Sequence, residues 1–131
     1  MAQQPVELIL LKQVAGYLAA PMLLVDPAGD LLYYNEPAEE ILGHRYEETG
    51  QMPLDDWAAM FSPTDSLGRP VPTEELPLSV AVSERSPCQG SFWITPHDGI
   101  GRHLAVTALP LVGQGGTYLG ALAVFWLLPR R

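Results

Sequence analysis

The side chains that could carry out chemistry in this chain are few and scattered. Three histidines (His44, His97 and His103) and one cysteine, Cys88, show none of the short spacings that metal ligands need. The sequence also lacks Gly-x-Ser-x-Gly, a phosphate-binding loop and His-Glu-x-x-His, the motifs that place nucleophiles, phosphates or zinc. The sequence therefore predicts neither a metal site nor an enzyme.

The carboxylates come in adjacent pairs, Glu39-Glu40, Glu47-Glu48 and Asp55-Asp56. Neighbouring residues do not face each other on a helix, so these pairs are typical of a solvated surface and not of paired acid–base groups. The glycines at 113 to 116 precede no helix and therefore indicate a hairpin turn, not a phosphate cradle.

Composition restricts the class of protein and its partners. A chain of 131 residues that is 47% apolar and 17% charged is typical of one globular domain. The net charge of −8, with no basic stripe, argues against nucleic acid and anionic membranes as partners.

The lone cysteine excludes an internal disulfide, and Glu7 and Lys12 interrupt any signal peptide, so we expect a cytoplasmic protein. Residues 117 to 128 are apolar but too short to span a membrane, which favours a buried strand.

The clearest local structure is a β-hairpin followed by a short helix. Two apolar runs, Met22–Val25 and Leu31–Tyr34, flank Asp-Pro-Ala-Gly-Asp at 26 to 30, and these residue types favour a turn. Asn35 then stands where a helix N-cap is expected, and Gly43 stands just past the helix end.

Residues 5 to 19 predict an N-terminal helix that is apolar on two sides. One stripe contains Val6, Ile9, Leu10, Val14 and Tyr17, and the other contains Leu8, Leu11, Ala15 and Leu18. A helix of this kind must bury both sides. One side can pack on the chain's own sheet while the other contacts a partner chain; alternatively, both belong to a single wide buried face.

The rest of the chain predicts short helices followed by three strands. Residues 44 to 72 are rich in Pro and Gly, and within them residues 54 to 61 could form one or two helical turns. A helix is expected from Thr73 to Glu84, capped by Thr73. Strands are expected at 90 to 96, 102 to 111 and 117 to 128, the first two joined by a turn at His97-Asp98-Gly99. This order indicates an α+β fold with an antiparallel sheet.

The order and spacing of several motifs resemble the PAS (Per-Arnt-Sim) domain family, of the bacterial sensor type. The resemblance covers roughly residues 10 to 127. It rests on the hairpin and capped helix and on three later segments: 65 to 78 (DSLGRPVPTEELPL), His97-Asp98-Gly99 followed by Ala108-Leu109-Pro110-Leu111, and 116 to 125 (GTYLGALAVF).

The resemblance implies a five-stranded antiparallel sheet with short helices on one face and the N-terminal helix on the other. Residues 1 to 20 would form an amphipathic dimerisation helix and residues 21 to 131 the PAS domain. The Asp-Ile-Thr-like ending that leads many PAS domains into an effector is replaced by Leu127-Leu128-Pro129. Together with Met1, this favours a stand-alone protein over a segment cut at the domain edge.

Strand alternation combined with PAS topology predicts which side chains face a ligand. The predicted binding residues are Leu78, Val82, Phe92, Ile94, Leu104, Val106, Ala108, Ala121, Ala123 and Phe125. Because several of these are alanines, the core has room for a fatty acyl chain or another small apolar molecule. The alternative is a core closed by its own side chains.

The outer face of the predicted sheet is unusually apolar, which predicts a cover by the first helix, a second subunit or both. The prediction is a homodimer through residues 5 to 19 and an outer face that includes Trp93, Leu122, Val124 and Trp126. A signalling protein is a further possible partner.

Haem and flavin are known cofactors of PAS domains, but neither is expected here. The familiar haem ligand is a histidine on the long helix, and residues 73 to 84 contain none, which leaves His44 as the remaining candidate. Flavin photoreceptors carry a reactive cysteine on the central helices, whereas residues 44 to 72 have no cysteine. The resemblance therefore favours a sensory module that binds a small apolar ligand. A PAS interaction module with a closed core is the alternative, followed by a haem sensor.

Overall fold

The computed structural model describes residues 6–95 and 99–129. Its strands are β1 (Met22–Val25), β2 (Leu31–Tyr34), β3 (Cys88–Ile94), β4 (Arg102–Val112) and β5 (Tyr118–Leu127). Its helices are α1 (Val6–Tyr17), α2 (Glu36–Leu42), α3 (Tyr46–Thr49), α4 (Leu54–Phe61) and α5 (Pro77–Glu84), with 3₁₀ turns at Thr73–Glu75 and Gln114–Gly116. The strands form one antiparallel sheet in the order β2-β1-β5-β4-β3.

Two apolar clusters lie on opposite faces of the sheet. The larger one fills the space between the inner face and the helices α2, α4 and α5. The smaller one joins Leu8 of α1 to Met22, Leu24, Leu32, Leu119 and Leu122 on the outer face. The predicted α+β fold, with short helices on one face and the N-terminal helix on the other, is confirmed.

Local hydrogen bonds explain why the hairpin and α2 form where the sequence predicts them. One carboxylate oxygen of Asp26 (Oδ1) accepts hydrogen bonds from the backbone N–H of Ala28 at 2.9 Å and of Asp30 at 3.0 Å. Gly29 completes the turn with a φ of +89°, a conformation that costs glycine little. The α2 helix begins after Asn35, whose Oδ1 accepts from the N–H of Ala38, and ends at Gly43 in the left-handed conformation.

The α1 helix uses only part of its apolar surface to pack on the sheet. Leu8 is 4% exposed and Leu11 is half-buried against the outer face. Leu18 lies past the helix end and is 44% exposed. The other predicted stripe stays at the surface: Val6, Ile9, Leu10, Val14 and Tyr17 are 46% to 88% exposed. Residue 5, the first of the predicted helix, lies outside the described residues.

One helix boundary predicted from the sequence is wrong. Instead of a single helix from Thr73 to Glu84, a 3₁₀ turn ends at Glu75 and α5 begins at Pro77. Leu76 between them is extended (φ −67°, ψ 142°), because the ring of Pro77 disfavours the helical conformation in the preceding residue. Thr73 therefore makes no cap for α5.

The three late strands follow the prediction with small shifts at their ends. Cys88, two residues before the start of the predicted strand, is the first residue of β3 and pairs with Ala108 of β4. The predicted turn at His97-Asp98-Gly99 lies partly outside the described residues, since Pro96, His97 and Asp98 are not described. No helix in the described part of the chain has the length and apolar character to cross a membrane.

Candidate functional site

The α4 and α5 helices bring large apolar side chains against the inner face of the sheet. Trp57, Ala58 and Phe61 share one side of α4, as the helical spacing i, i+1, i+4 requires, and all three are buried. Leu76 and Leu78 stand at the start of α5 and are 2% and 7% exposed. These two helices therefore cover the inner face of β3, β4 and β5.

A cavity of about 50 Å³ lies between these helices and the sheet. The surface of its lining is apolar throughout. The lining residues are Leu23, Leu42, Trp57, Phe61, Pro63, Leu76, Pro77, Leu78, Phe92, Ile94, Leu104, Val106, Ala123 and Phe125. An apolar space of this kind offers a water molecule no hydrogen-bond partners, so it favours an apolar occupant over water.

The sequence-predicted binding residues all reach the inner side of the domain, but they do not all line the cavity. The predicted residues that line it are Leu78, Phe92, Ile94, Leu104, Val106, Ala123 and Phe125. Ala108 and Ala121 are fully buried in the core without lining the cavity. Val82 is half-buried and faces a neighbouring groove.

Residues from α2, α4 and the segment before α5 were missed by the sequence analysis. Trp57 and Phe61 could have been found, because their i, i+4 spacing places two aromatic side chains on one side of a helix that was expected at 54 to 61. Leu23, Leu42 and Pro63 carry no comparable local signal, since only the tertiary fold brings them to the cavity.

A second concave space, the α4–α5 groove, adjoins the cavity. It has a volume of about 330 Å³ and is lined by Val25, Ala28, Gly29, Leu54, Asp55, Trp57, Thr73, Glu74, Leu78, Ser79, Val82 and Ser83. Trp57 and Leu78 line both the groove and the cavity, so these two side chains stand between them.

Two hydrogen bonds fix α4 at the edge of this groove. The backbone N–H of Leu54 donates to the carboxylate of Asp30 at 2.9 Å, and the indole Nε1–H of Trp57 donates to the carbonyl oxygen of Gly29 at 3.0 Å. Both acceptors belong to the β1–β2 hairpin. The hairpin turn therefore sets the position of the Trp57 ring over the core.

A separate, open groove of about 680 Å³ lies between β2, α2 and α3 and contains His44 with three tyrosines. Burial is the main cause that raises the pKa of Tyr33, Tyr34 and Tyr46, and Glu39 adds to the effect on Tyr33 and Tyr34. The Tyr34 hydroxyl donates to the carbonyl oxygen of His44 at 3.0 Å, and the Tyr46 hydroxyl donates to that of Leu32.

His44 is the candidate ligand of the haem alternative, and it lies in this open groove and outside the apolar cavity. His44 does not line the cavity under α4 and α5, and its ring lies 6.5 Å from that of Phe61 in a tilted arrangement. Within residues 6–95 and 99–129, no group of three or more His, Cys, Asp or Glu side chains is arranged to hold a metal ion.

Two residues of the predicted dimer surface, Leu122 and Val124, pack in or against the cluster beneath α1. Leu122 is 8% exposed and belongs to the cluster beneath α1, so it is not available to a partner while α1 stays in place. Trp126 is 46% exposed and Val124 is half-buried. Trp93 is also half-buried and stacks on His103, with ring centroids 4.6 Å apart and planes at 3°.

The family model described as PAS fold matches residues 10–125. The chain therefore belongs to the PAS family, as the sequence motifs predicted. PAS domains are in general sensory modules, so the chain is a signal-sensing domain in that broad sense. They also commonly mediate dimerisation or partner contacts. No curated protein matches the sequence.

Solved PAS domains share this fold at low sequence identity. The PAS domain of a protein from Colwellia psychrerythraea is 18% identical with a TM-score of 0.67, over 95% of this chain and 99% of that one. The PAS domain of nitrogen regulation protein NR(II) from Vibrio parahaemolyticus is 16% identical with a TM-score of 0.64, over 91% and 98%. The PAS domain of the fruit-fly ELK potassium channel is 9% identical with a TM-score of 0.72, over 94% and 98%.

Proposed function

We propose that this PAS domain senses a small apolar molecule that binds between the inner face of the sheet and the helices α4 and α5. The observation that carries the proposal is the cavity whose surface is apolar throughout, with Ala123 on the sheet side and Phe61 on the helix side. Small alanine side chains on a strand leave space that larger residues would fill.

The size of the cavity indicates that binding involves movement of the helices. About 50 Å³ is well below the roughly 300–1,000 Å³ typical of small-molecule sites. The α4–α5 groove supplies about 330 Å³ on the other side of Trp57 and Leu78. A ligand that separates these two side chains gains a site of ordinary size, and the shift of α4 or α5 is the signal.

The proposal includes a homodimer through α1, with residues 1–20 as the dimerisation segment and 21–131 as the sensing domain. The supporting observation is the exposed apolar stripe that contains Ile9, Leu10 and Val14. A two-fold axis would pair this stripe with its own copy, which is how most homodimers bury a self-complementary surface. Since the opposite side of α1 packs on the sheet, a change in the sheet can reach the partner.

A second function is favoured by the same small volume. A cavity of about 50 Å³ is close to a filled core, and this favours an interaction module that acts through protein contacts alone. Under this alternative, α1 and the exposed Trp126 would carry the function and the inner face would only stabilise the fold.

Adding 1-decanol to isotopically labelled protein and recording NMR shifts separates the two functions. Under the ligand hypothesis, shifts concentrate at inward residues such as Ile94, Leu104 and Phe125, and they vanish in Ala123→Val, which fills the cavity. A matched variant on the outer face, Ala105→Val, keeps the shifts. Shifts confined to the outer face, or none at any soluble concentration, would overturn ligand sensing and favour the interaction module.

A further inference from the structure

The charges of the α4–α5 groove restrict the chemistry of the ligand. Asp55 of α4 and Glu74 of the 3₁₀ turn before α5 both line the groove. None of the described residues that line the groove is basic. The head group of a bound molecule would therefore meet two carboxylates and no basic side chain of this lining, and the whole chain adds a net charge of −8.

The apolar part of the groove leads towards the core. Val25, Leu54 and Val82 form its apolar lining, and Trp57 with Leu78 separates it from the cavity. A molecule that occupies both spaces must therefore have an apolar chain at one end and a group that tolerates carboxylates at the other.

Ser79 adds a polar atom without a partner. Its Oγ is buried and has no hydrogen bond among the described residues, although Ser79 lines the groove. A serine inside a helix often bonds the carbonyl oxygen four residues earlier. Here that residue is Glu75, and the extended Leu76 separates it from α5, so a ligand that widens the groove would meet a buried hydroxyl without a partner.

We propose that the ligand is an organic cation with an apolar chain, an alkylammonium in its simplest form. Its ammonium group lies between Asp55 and Glu74 and donates a hydrogen bond to Ser79. Its chain passes between Trp57 and Leu78 into the cavity. This inference rests on the proposed ligand-sensing function, and it excludes a fatty acid, whose carboxylate the same two residues would repel.

Isothermal titration at pH 7 with decylamine, 1-decanol and decanoate, each below its micelle concentration, tests the inference. The three share one chain and differ in head-group charge. We expect decylamine to bind at least about tenfold more tightly than decanoate, because each exposed charge pair changes an affinity by a few-fold and the head group reverses sign against two carboxylates. In Asp55→Asn/Glu74→Gln the ratio of the affinities for decylamine and decanoate should fall below about threefold.

The control is Asp56→Asn/Glu75→Gln, which removes the same charge from the neighbouring residues in the same two elements. Neither residue lines the groove, so the preference for the amine should persist. If the control loses it equally, or if decanoate binds as tightly as decylamine while 1-decanol also binds, the inference is overturned and ligand sensing stands. If none of the three molecules binds, both the inference and the proposed function fail.

Discussion

The indole Nε1–H of Trp57 donates a hydrogen bond of 3.0 Å to the carbonyl oxygen of Gly29. This contact joins α4 to the β1–β2 turn across 28 residues of sequence. Because Trp57 also lines both the cavity and the α4–α5 groove, the same bond holds the ring that separates them. Stability of the hairpin and access to the core are therefore linked at one side chain.

Replacing Trp57 with phenylalanine should destabilise the domain. The variant keeps an aromatic ring but leaves the Gly29 carbonyl without its donor and removes part of a side chain that is 6% exposed. A loss of about 2–4 kcal/mol in the free energy of unfolding is expected from the unpaired carbonyl and the new space. Urea unfolding measures it. The matched control, Trp126→Phe at a 46% exposed position, should change the free energy by less than about 0.5 kcal/mol. Equal effects of the two variants would contradict the assigned role of the bond.

Asn35 is the second polar side chain on which the fold depends. It is fully buried; its Oδ1 accepts from the N–H of Met22 at 3.0 Å and of Ala38 at 3.2 Å, and its Nδ2 donates to the carbonyl oxygen of Ala20 at 2.8 Å. Asn35→Ala removes the helix cap and leaves buried backbone groups unpaired, so a loss of about 2–4 kcal/mol is expected in urea unfolding. Ser83→Ala, at an exposed serine of α5, is the control and should be nearly neutral. A loss below about 1 kcal/mol for Asn35→Ala would contradict this account.

The sequence predicted those parts of the fold whose causes are local. Asp26, Gly29, Asn35 and Gly43 fix the hairpin and α2 through hydrogen bonds and conformations within a few residues. Alternation separates the two faces of the late strands, and the resemblance to PAS domains predicted which of them is inward.

The errors arise where a local rule was overlooked or where the cause is tertiary. Leu76 precedes a proline, and that rule was enough to end the first helical turn before α5. Leu122 was named for the dimer face, which the first helix could also cover; it lies under α1, and its own strand pattern carries no information about which of the two covers it. Leu23, Leu42 and Pro63 reach the cavity only through the tertiary fold, so no local pattern marks them.

The proposed dimer can be tested by placing a charged side chain in the exposed stripe of α1. Leu10→Glu places a carboxylate in the stripe at a position that is 54% exposed, so it should leave the monomer folded while weakening association at least about tenfold, because an ionised group is costly to bury in an apolar interface. Sedimentation velocity over a range of concentrations measures the association. Gln13→Glu adds the same charge at an exposed position outside the stripe and should not affect it. A dimer as stable in Leu10→Glu as in the unmodified chain would exclude α1 from the interface.

Glu7 connects α1 to the β4–β5 turn and makes that contact sensitive to pH. Its Oε2 accepts a hydrogen bond of 3.1 Å from the N–H of Gln114, and this bond is the main cause that lowers the pKa of Glu7 below its ordinary value of 4.5. Because the pKa is lowered in the folded state, the ionised Glu7 carboxylate stabilises the docking of α1 at pH values above 4.5. This stabilisation is lost as the pH falls through the lowered pKa.

An NMR titration of the Gln114 amide measures this directly. The amide shift should titrate with a midpoint below 4.5, and the titration should be absent in Glu7→Gln. A midpoint at or above 4.5, or an unchanged titration in the variant, would show that Glu7 does not hold the turn.

Native mass spectrometry of the domain purified from cells tests the central claim most directly, because it reads subunit number and bound mass together. The account predicts a dimer that carries a small additional mass, which is released on denaturation and is absent from Ala123→Val. A domain that shows only the mass of its own chains, and gains none when 1-decanol or decylamine is added in excess, would contradict ligand sensing by the inner face of the sheet.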